Sequence, residues 1–170
     1  MTFEALAKER YSCRTFTGDK VDPKLTEQIL DICLTAPTAH NNWPLEIFVI
    51  ESDEAIQGVK ASTRSHFDAT LFILVCYDRE KVWVRRFDQA HSGIDDAAIA
   101  GCHIMFAAES LGLGTTWVKA FDPAVLAEKL ALPEHIVPVC LFPLGYKAAD
   151  AKPSPSHTVR PAKEDVVKRI

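Results

Sequence analysis

The chain has 170 residues, of which 48% are hydrophobic and 25% are charged, a composition typical of one globular domain with a sizeable core. Its formal net charge is −4 and no run of Lys or Arg exceeds two residues, so we expect no nucleic-acid interface. No apolar segment approaches the roughly 18–20 residues that span a bilayer, and the first ten residues do not resemble a signal peptide. Five cysteines without a CxxC motif are typical of buried thiols in a reducing compartment. We therefore expect a cytoplasmic protein without a membrane partner.

The first half of the chain predicts three helices, a proline-bounded loop and two strands. Asp22 suits a helix N-cap and Pro23 the first helical position, and an apolar stripe follows them. That stripe consists of Leu25, Ile29, Ile32 and Cys33. The continuously apolar segment 70–78 is typical of a strand covered on both faces. The remaining predictions are helices over 2–10 and 52–62, a loop over 36–44 and a strand over 45–51, while residues 79–92 give no clear pattern.

The second half is dominated by a helix over 94–111 that is apolar almost all the way round. Such a helix has to be buried on nearly every side, and a second subunit covering one face is the simplest way to achieve this. An extended segment over 112–118 and a helix capped by Asp122 follow. Residues 137–146 predict a strand, but Pro138 and Pro143 favour an edge or a bulged position for it.

These elements predict an α+β fold, a sheet covered by helices, formed by one domain over 1–170. The polar, proline-rich residues 147–170 are expected to form a C-terminal arm of this domain.

Metal and nucleophile chemistry find no support in the sequence. The six histidines show no spacing that would place two ligands on one ion, so we expect no metal site. No nucleophile motif is present, and "GLGTT" is a lone GxG without the rest of a dinucleotide-binding turn. The sequence therefore predicts no catalytic side chain of these kinds.

The stretch "ERYSCRTF" places Arg10 and Arg14 on either side of Ser12. In a helix the two guanidiniums would be neighbours, and either water solvates them or an anion lies between them. A phosphate or an electron-rich ring edge would suit this set, as would a solvated helix end. Asn41 can likewise contact a ring's carbonyl and N–H groups or simply form a turn, and Arg160 can bind a phosphate or be an ordinary surface charge.

Five motifs in order resemble the nitroreductase family of flavin (FMN) enzymes. They are "RYSCRTF", "APTAHNNWPL", "AGCHIMFAAESLGLGTTWVK", "PVCLFPLGY" and "VRPAKEDVV", and together they extend from residue 10 to about residue 167. The chain departs from the family pattern at Tyr11, Trp43, Leu45 and Thr158, and it is shorter than many relatives.

The resemblance implies a central, mostly antiparallel sheet flanked by helices, in an intertwined homodimer that binds FMN at its subunit interface. Arg10 and Arg160 resemble phosphate ligands, Ser12 a nearby donor, and Arg14 the residue at the flavin's N1 and C2 carbonyl edge. The other residues implied at the cofactor are Tyr11, Pro37, Thr38, Asn41, Thr115 and Thr116, with Pro37, Thr38 and Asn41 coming from the partner subunit.

The activity implied is transfer of hydride from NAD(P)H, a transient donor, through flavin N5 to a nitroaromatic, a quinone or a similar small electron-poor acceptor, by a ping-pong mechanism. The flavin carries this chemistry, so no side chain is assigned as catalytic. Two alternatives stay open at this point. One is another FMN-linked reaction, such as enone reduction, reductive dehalogenation or flavin fragmentation, and the other is a non-catalytic flavin-binding dimer.

Overall fold

The computed structural model describes residues 2–170, and over them the chain forms helices on both sides of one antiparallel sheet. This arrangement confirms the predicted α+β class, and all strand pairs are antiparallel. The helices are α1 (Phe3–Glu9), α2 (Pro23–Cys33), α3 (Asp53–Ser62), α4 (Gly93–Ser110), α5 (Pro123–Lys129) and α6 (Lys163–Val166). The strands are β1 (Leu45–Ile50), β2 (Leu71–Asp78), β3 (Leu113–Thr115) and β4 (Ile136–Tyr146).

Side-chain caps fix the starts of the helices where the sequence predicts them. The Thr2 hydroxyl accepts a hydrogen bond from the Ala5 N–H at 3.2 Å, and the Asp22 carboxylate accepts one from the Lys24 N–H at 2.9 Å. Asp122 caps α5 in the same way. Each cap satisfies a backbone N–H that the helix leaves without a partner, so these boundaries follow from local chemistry.

The sheet has the strand order β1-β2-β4-β3 and separates two apolar layers. Alternate residues of β2 point to opposite faces. Ile73 and Val75 pack with α2 and α4, whereas Phe72 and Leu74 pack with α3 and α5. All eight β2 residues are buried, and this two-sided burial explains why segment 70–78 is continuously apolar.

The expectation that β4 lies at an edge is wrong, because β4 pairs with both β2 and β3. The alternative, a bulge, is present: the β2–β4 register shifts between Val75 and Cys76, opposite Pro138. Pro143 is tolerated because its neighbour β3 has ended, and the Pro143 carbonyl accepts a hydrogen bond from the Thr115 hydroxyl at 2.8 Å. Pro138 therefore lies where the β2–β4 hydrogen-bond ladder is interrupted, and Pro143 lies where β4 has no partner that needs an N–H donor.

Three further details differ from the sequence-based expectation or complete it. Ile32 lies at the margin of the α2 stripe and is 38% exposed. Cys102 is exposed on the outer face of α4, whereas the other four cysteines are buried. The segment without a clear pattern contains a hairpin over 84–91, in which Val84 pairs with His91 and the Arg85 N–H donates to the Ala90 carbonyl at 2.7 Å. We call it the 84–91 hairpin.

The polar C-terminal residues run along the outside of the molecule. Lys147 pairs with Phe16, and the Ala148 N–H donates to the Thr15 carbonyl at 3.1 Å. Beyond this anchor come a 3₁₀ turn at Pro155–Thr158 and α6, and neither contains a buried residue. That residues 1–170 form a single domain stays a prediction. Within residues 2–170, none of the helices combines the length and apolar character that crossing a bilayer requires.

Candidate cofactor site

The segment that carries Arg10, Ser12 and Arg14 is extended, not helical. Helix α1 ends before Arg10, whose ψ angle of 128° takes the chain out of the helix. Ser12 then pairs in parallel with Thr115 of β3, and the Cys13 N–H donates to the Thr115 carbonyl at 3.0 Å. Because alternate side chains of an extended segment point to opposite sides, Arg10, Ser12 and Arg14 share one side of it.

A glycine allows this segment to lie against the sheet. A Cβ atom added at Gly114 would lie 2.7 Å from the Cys13 sulfur and 2.9 Å from the Cys13 Cβ. Cys13, on the side opposite the arginines, is fully buried there. Because Gly114 has no side chain, Cys13 can lie close to β3, and this contact fixes the position of the segment from which the arginines project.

The donor set on this side fits a phosphorylated ligand. Among residues 2–170, no carboxylate lies within ion-pair distance of Arg10 or Arg14. The Arg14 guanidinium has one internal contact, a donation to the Ser12 carbonyl at 3.2 Å. Two guanidiniums and a hydroxyl on one side can neutralise and hydrogen-bond a dianionic phosphate, or stabilise negative charge at a ring edge.

Tyr11 projects from the other side of the segment and packs against the C-terminal arm. Its ring lies 5.0 Å from the Lys147 ammonium and 6.3 Å from the His157 ring. Burial, followed by the charges of Cys13 and Glu109, raises the pKa of the Tyr11 hydroxyl. The side chain of Tyr11 is thus engaged with the arm and not with the arginine side.

Thr115 pairs with the extended segment, and Thr116 follows it in the chain. Their side chains are 3% and 2% exposed, and Thr115 bonds both to the segment and, through its hydroxyl, to Pro143. The structure therefore places Ser12 beside Thr115, with Thr116 next in the chain.

Arg160 lies in a groove of about 390 Å³ between α1 and the arm. Its guanidinium donates to the carbonyls of Val159, at 2.8 Å, and of His157. His157 in turn lies 3.3 Å from the Lys8 carbonyl, which fastens the arm to α1. The described contacts join Arg160 to the arm and α1, and they do not join it to Arg10.

The loop over 36–44 is held by α4. The Ala39 N–H donates to the Asp96 carboxylate at 2.8 Å, and the other oxygen of Asp96 accepts from the Ser92 hydroxyl at 2.7 Å. Asp96 is 2% exposed, so this carboxylate is buried and hydrogen-bonded at both oxygens. Asp96 thus attaches the middle of the loop to the first turn of α4, while the Pro44 carbonyl, at the end of the loop, accepts a hydrogen bond from the Asp78 N–H at 2.7 Å.

Within the loop, Trp43 binds two of the three residues assigned to the cofactor. The Trp43 N–H donates to the Thr38 hydroxyl, and its indole N–H donates to the Asn41 side-chain oxygen, both at 3.2 Å. His40, Asn41 and Trp43 have φ angles of 53°, 57° and 50°, in the left-handed region that residues other than glycine seldom adopt. Trp43 therefore shapes the loop, and Pro37 is exposed beside it.

The two groups of candidate residues lie at opposite ends of α4. The 36–44 loop is fastened to its first turn, whereas Thr115 and the extended segment follow its last turn. With 18 residues, α4 is about 27 Å long. One copy of the chain therefore does not bring Pro37, Thr38 and Asn41 into contact with Arg10, Ser12 and Arg14.

Sequence reasoning missed Asp96 and the aromatic pair His40–Trp83. The two rings stack at 5.5 Å with an interplanar angle of 16°. A carboxylate on an otherwise apolar helix is a signal that could have found Asp96, but two adjacent aspartates leave open which one is buried. Within residues 2–170, no group of three or more His, Cys, Asp or Glu side chains is placed to hold a metal ion.

Comparison with known proteins identifies the class to which this fold belongs. A family model described as the nitroreductase family matches residues 7–94 and 66–146. The crystal structure of a nitroreductase family protein from Clostridium difficile is 35% identical, with a TM-score of 0.93, and the alignment covers 100% of this chain and 99% of that one. The chain belongs to the nitroreductase family.

Two relatives by sequence carry more specific descriptions. A protein of Methanothermobacter thermautotrophicus, described as an NADH dehydrogenase/NAD(P)H nitroreductase, is 29% identical over 83% of this chain and 75% of its own length. A protein of Bacillus subtilis, described as an FMN reductase [NAD(P)H], is 27% identical over 81% of this chain and 62% of its own.

Proposed function

We propose that the protein is a homodimeric, cytoplasmic FMN enzyme that passes electrons from NAD(P)H to nitroaromatics, quinones or similar electron-poor acceptors by a ping-pong mechanism. The coarser part follows from the family: the chain is an NAD(P)H-dependent oxidoreductase that uses FMN. The observation that supports binding of FMN by this chain best is the side shared by Arg10, Ser12 and Arg14 beside Thr115. When bound, FMN supplies the two-electron chemistry, so no protein nucleophile is needed.

In this proposal the residues of the chain bind, orient and tune the cofactor. Arg10 and Ser12 hold the phosphate, and Arg160 of the arm adds a second cation near it. Arg14 places a fixed positive charge at the pyrimidine edge of the ring, which favours the reduced state of the cofactor. The backbone at Thr115 and Thr116 would lie near the reacting edge of the cofactor, since Thr115 pairs with the segment that carries the arginines and Thr116 follows it.

A homodimer would complete the site because α4 separates its two halves. If two copies of α4 pack antiparallel about a two-fold axis, the first turn of one lies beside the last turn of the other. The partner subunit's 36–44 loop would then lie against the cofactor held by the extended segment. This arrangement gives two identical sites, one at each end of the helix pair.

The outer face of α4 has the composition that such an interface needs. Ile94 and Ile99 are 50% and 36% exposed, and Cys102 follows on the same side. Phe3, 70% exposed, extends this apolar surface by packing edge-on against Phe106 at 5.3 Å. Several exposed apolar side chains on one side of a helix are typical of an interaction site.

Spectroscopy of the purified protein tests the proposal. We expect flavin absorbance in stoichiometric amount, bleaching by NADH or NADPH without air, and recovery of the absorbance on addition of a nitroaromatic. Parallel lines in double-reciprocal plots would support ping-pong turnover, and sedimentation should give twice the chain mass. Protein that sediments as a monomer and binds no flavin at micromolar FMN would contradict the proposal.

A further inference from the structure

Tyr11 lies in the chain between two residues assigned to the phosphate, but its side chain points away from them. It follows Arg10 and precedes Ser12, and alternate side chains of an extended segment point to opposite sides. The Tyr11 ring lies instead against the arm, 5.0 Å from the Lys147 ammonium and 6.3 Å from the His157 ring. Any effect of this ring on a phosphate bound at the arginine side therefore has to act through the position of neighbouring residues.

The Lys147 ammonium that Tyr11 contacts is itself held in place. It lies 2.6 Å from the carboxylate of Glu109, in the last turn of α4. A Cβ atom added at Gly114 would lie 3.0 Å from the Lys147 Cγ, so the stem of Lys147 runs along β3. An ammonium within about 6 Å of an aromatic ring is attracted to its face. The Tyr11 ring therefore packs on a cation whose position is fixed by both α4 and β3.

His157 connects both flanks of Arg10 with Arg160. The His157 Nε2 lies 3.3 Å from the carbonyl of Lys8, two residues before Arg10. Its ring packs edge-on against Tyr11, the residue directly after Arg10, with an interplanar angle of 73°. The backbone carbonyl of His157 accepts a hydrogen bond from the Arg160 guanidinium. Arg10 and Arg160 make no contact with each other, and these contacts form a path between them.

The hydroxyl of Tyr11 adds no negative charge to this region. Burial, followed by the charges of Cys13 and Glu109, raises the pKa of the hydroxyl above its ordinary value of 10.0. The phenol is therefore neutral near pH 7 and does not repel a dianionic phosphate. The contribution of Tyr11 is thus the packing of its ring.

We propose that Tyr11 is a positioning residue, which holds Arg10 and Arg160 in fixed relative positions at one phosphate group. It does so by packing against Lys147 and His157 of the arm, without contacting the ligand. This inference rests on the proposed function, which assigns both arginines to the FMN phosphate. It goes further in giving Tyr11 an indirect role, whereas the family resemblance implies a residue at the cofactor itself.

A double-mutant cycle on FMN affinity tests this role in the full-length protein after removal of bound flavin. Tyr11→Leu should weaken FMN binding about threefold to tenfold, because the ring contacts to the arm are lost. Arg160→Ala should weaken it about threefold to fivefold in the unmodified chain, but by less than about twofold in Tyr11→Leu. A Tyr11 side chain that contacted the phosphate directly would leave the factor for Arg160→Ala the same in both backgrounds.

Riboflavin, which is FMN without its phosphate, separates the phosphate site from the rest of the cofactor site. Tyr11→Leu should change the dissociation constant of riboflavin by less than about twofold, whereas a general loss of structure would weaken both flavins equally. Tyr11→Phe keeps the ring and should retain the FMN affinity of the unmodified protein. Phe87→Leu, at the 82% exposed tip of the 84–91 hairpin, is the matched control for loss of an aromatic ring.

Hydrogen exchange of the arm tests the packing without any flavin. The amides of residues 147–160 should exchange faster in Tyr11→Leu than in the unmodified protein, and at an unchanged rate in Tyr11→Phe. Unchanged exchange in Tyr11→Leu, equal weakening of FMN and riboflavin, or an unchanged factor for Arg160→Ala would overturn the inference. Failure of the proposed function is a different result, because it would appear as absence of FMN binding by the unmodified protein.

Discussion

Replacing Asp96 by Ala should be among the most damaging single changes to the 36–44 loop. The substitution removes the acceptor of the Ala39 N–H and leaves the Ser92 hydroxyl, on a residue that is 6% exposed, without its partner. Hydrogen bonds to a charged group contribute roughly 1.5–3 kcal/mol, and a buried hydroxyl left unpaired costs about 1–3 kcal/mol. Because Ala39 is only half-buried and its N–H can turn to water, we expect a total loss of about 2–4 kcal/mol in the free energy of unfolding.

Urea unfolding with linear extrapolation measures this loss, provided that the slope is the same for all variants. Asp96→Asn keeps an acceptor for Ala39 and can still bond Ser92, so it should cost about 1 kcal/mol or less. Asp95→Ala, next in sequence but exposed, is the matched control and should change stability by at most roughly 0.5 kcal/mol. Equal losses in Asp96→Ala and Asp95→Ala would refute the assignment of Asp96 as the residue that holds the loop.

Three other predictions address the phosphate site, the free energy of unfolding at low pH and the reactivity of the thiols. Arg10→Ala should weaken FMN binding about tenfold to a hundredfold, and Arg160→Ala less, because the Arg160 guanidinium already donates within the arm; equal effects in an FMN titration would contradict this. A hydrogen bond from Lys81 holds the pKa of Asp78 below its ordinary value of 3.8, so its stabilising contribution is present above that pH and is lost below it. In Asp78→Asn, the free energy of unfolding should therefore decrease less steeply between about pH 4 and pH 2 than in the unmodified protein. An unchanged pH dependence in this range would exclude this role of Asp78. Only Cys102 is exposed among the five thiols, so a thiol reagent should label at most one per native chain, and labelling of two or more would refute the burial of the others.

Much of the fold follows from local patterns in the sequence. The caps at Asp22 and Asp122 need only the chain around them, and the apolar runs of β2 and α4 report burial directly. The position of β4 could not be predicted in this way. Pro138 indicates an interrupted ladder, but whether the interruption is an edge or a bulge depends on β3, a strand of three residues that pairs at a distance.

The site was predictable in its residue types but not in its geometry. The spacing of Arg10, Ser12 and Arg14 suits one face of a strand. Because α1 immediately precedes this segment, the sequence was equally consistent with a continued helix. Contact with Gly114 decides the matter, and no local pattern reports that contact. Trp83 and His40 were missed for the same reason, since 43 positions separate them along the chain and both lie in loops.

The length of α4 has a consequence for how the two active centres of the proposed dimer would communicate. Each copy of α4 would hold the 36–44 loop of one centre at its first turn and would be followed by Thr115 of the other centre at its last turn. A tilt of α4 on binding of a ligand at one centre would therefore also displace residues of the other centre. Unequal reduction rates for the first and second flavin would be the kinetic trace of that mechanical link.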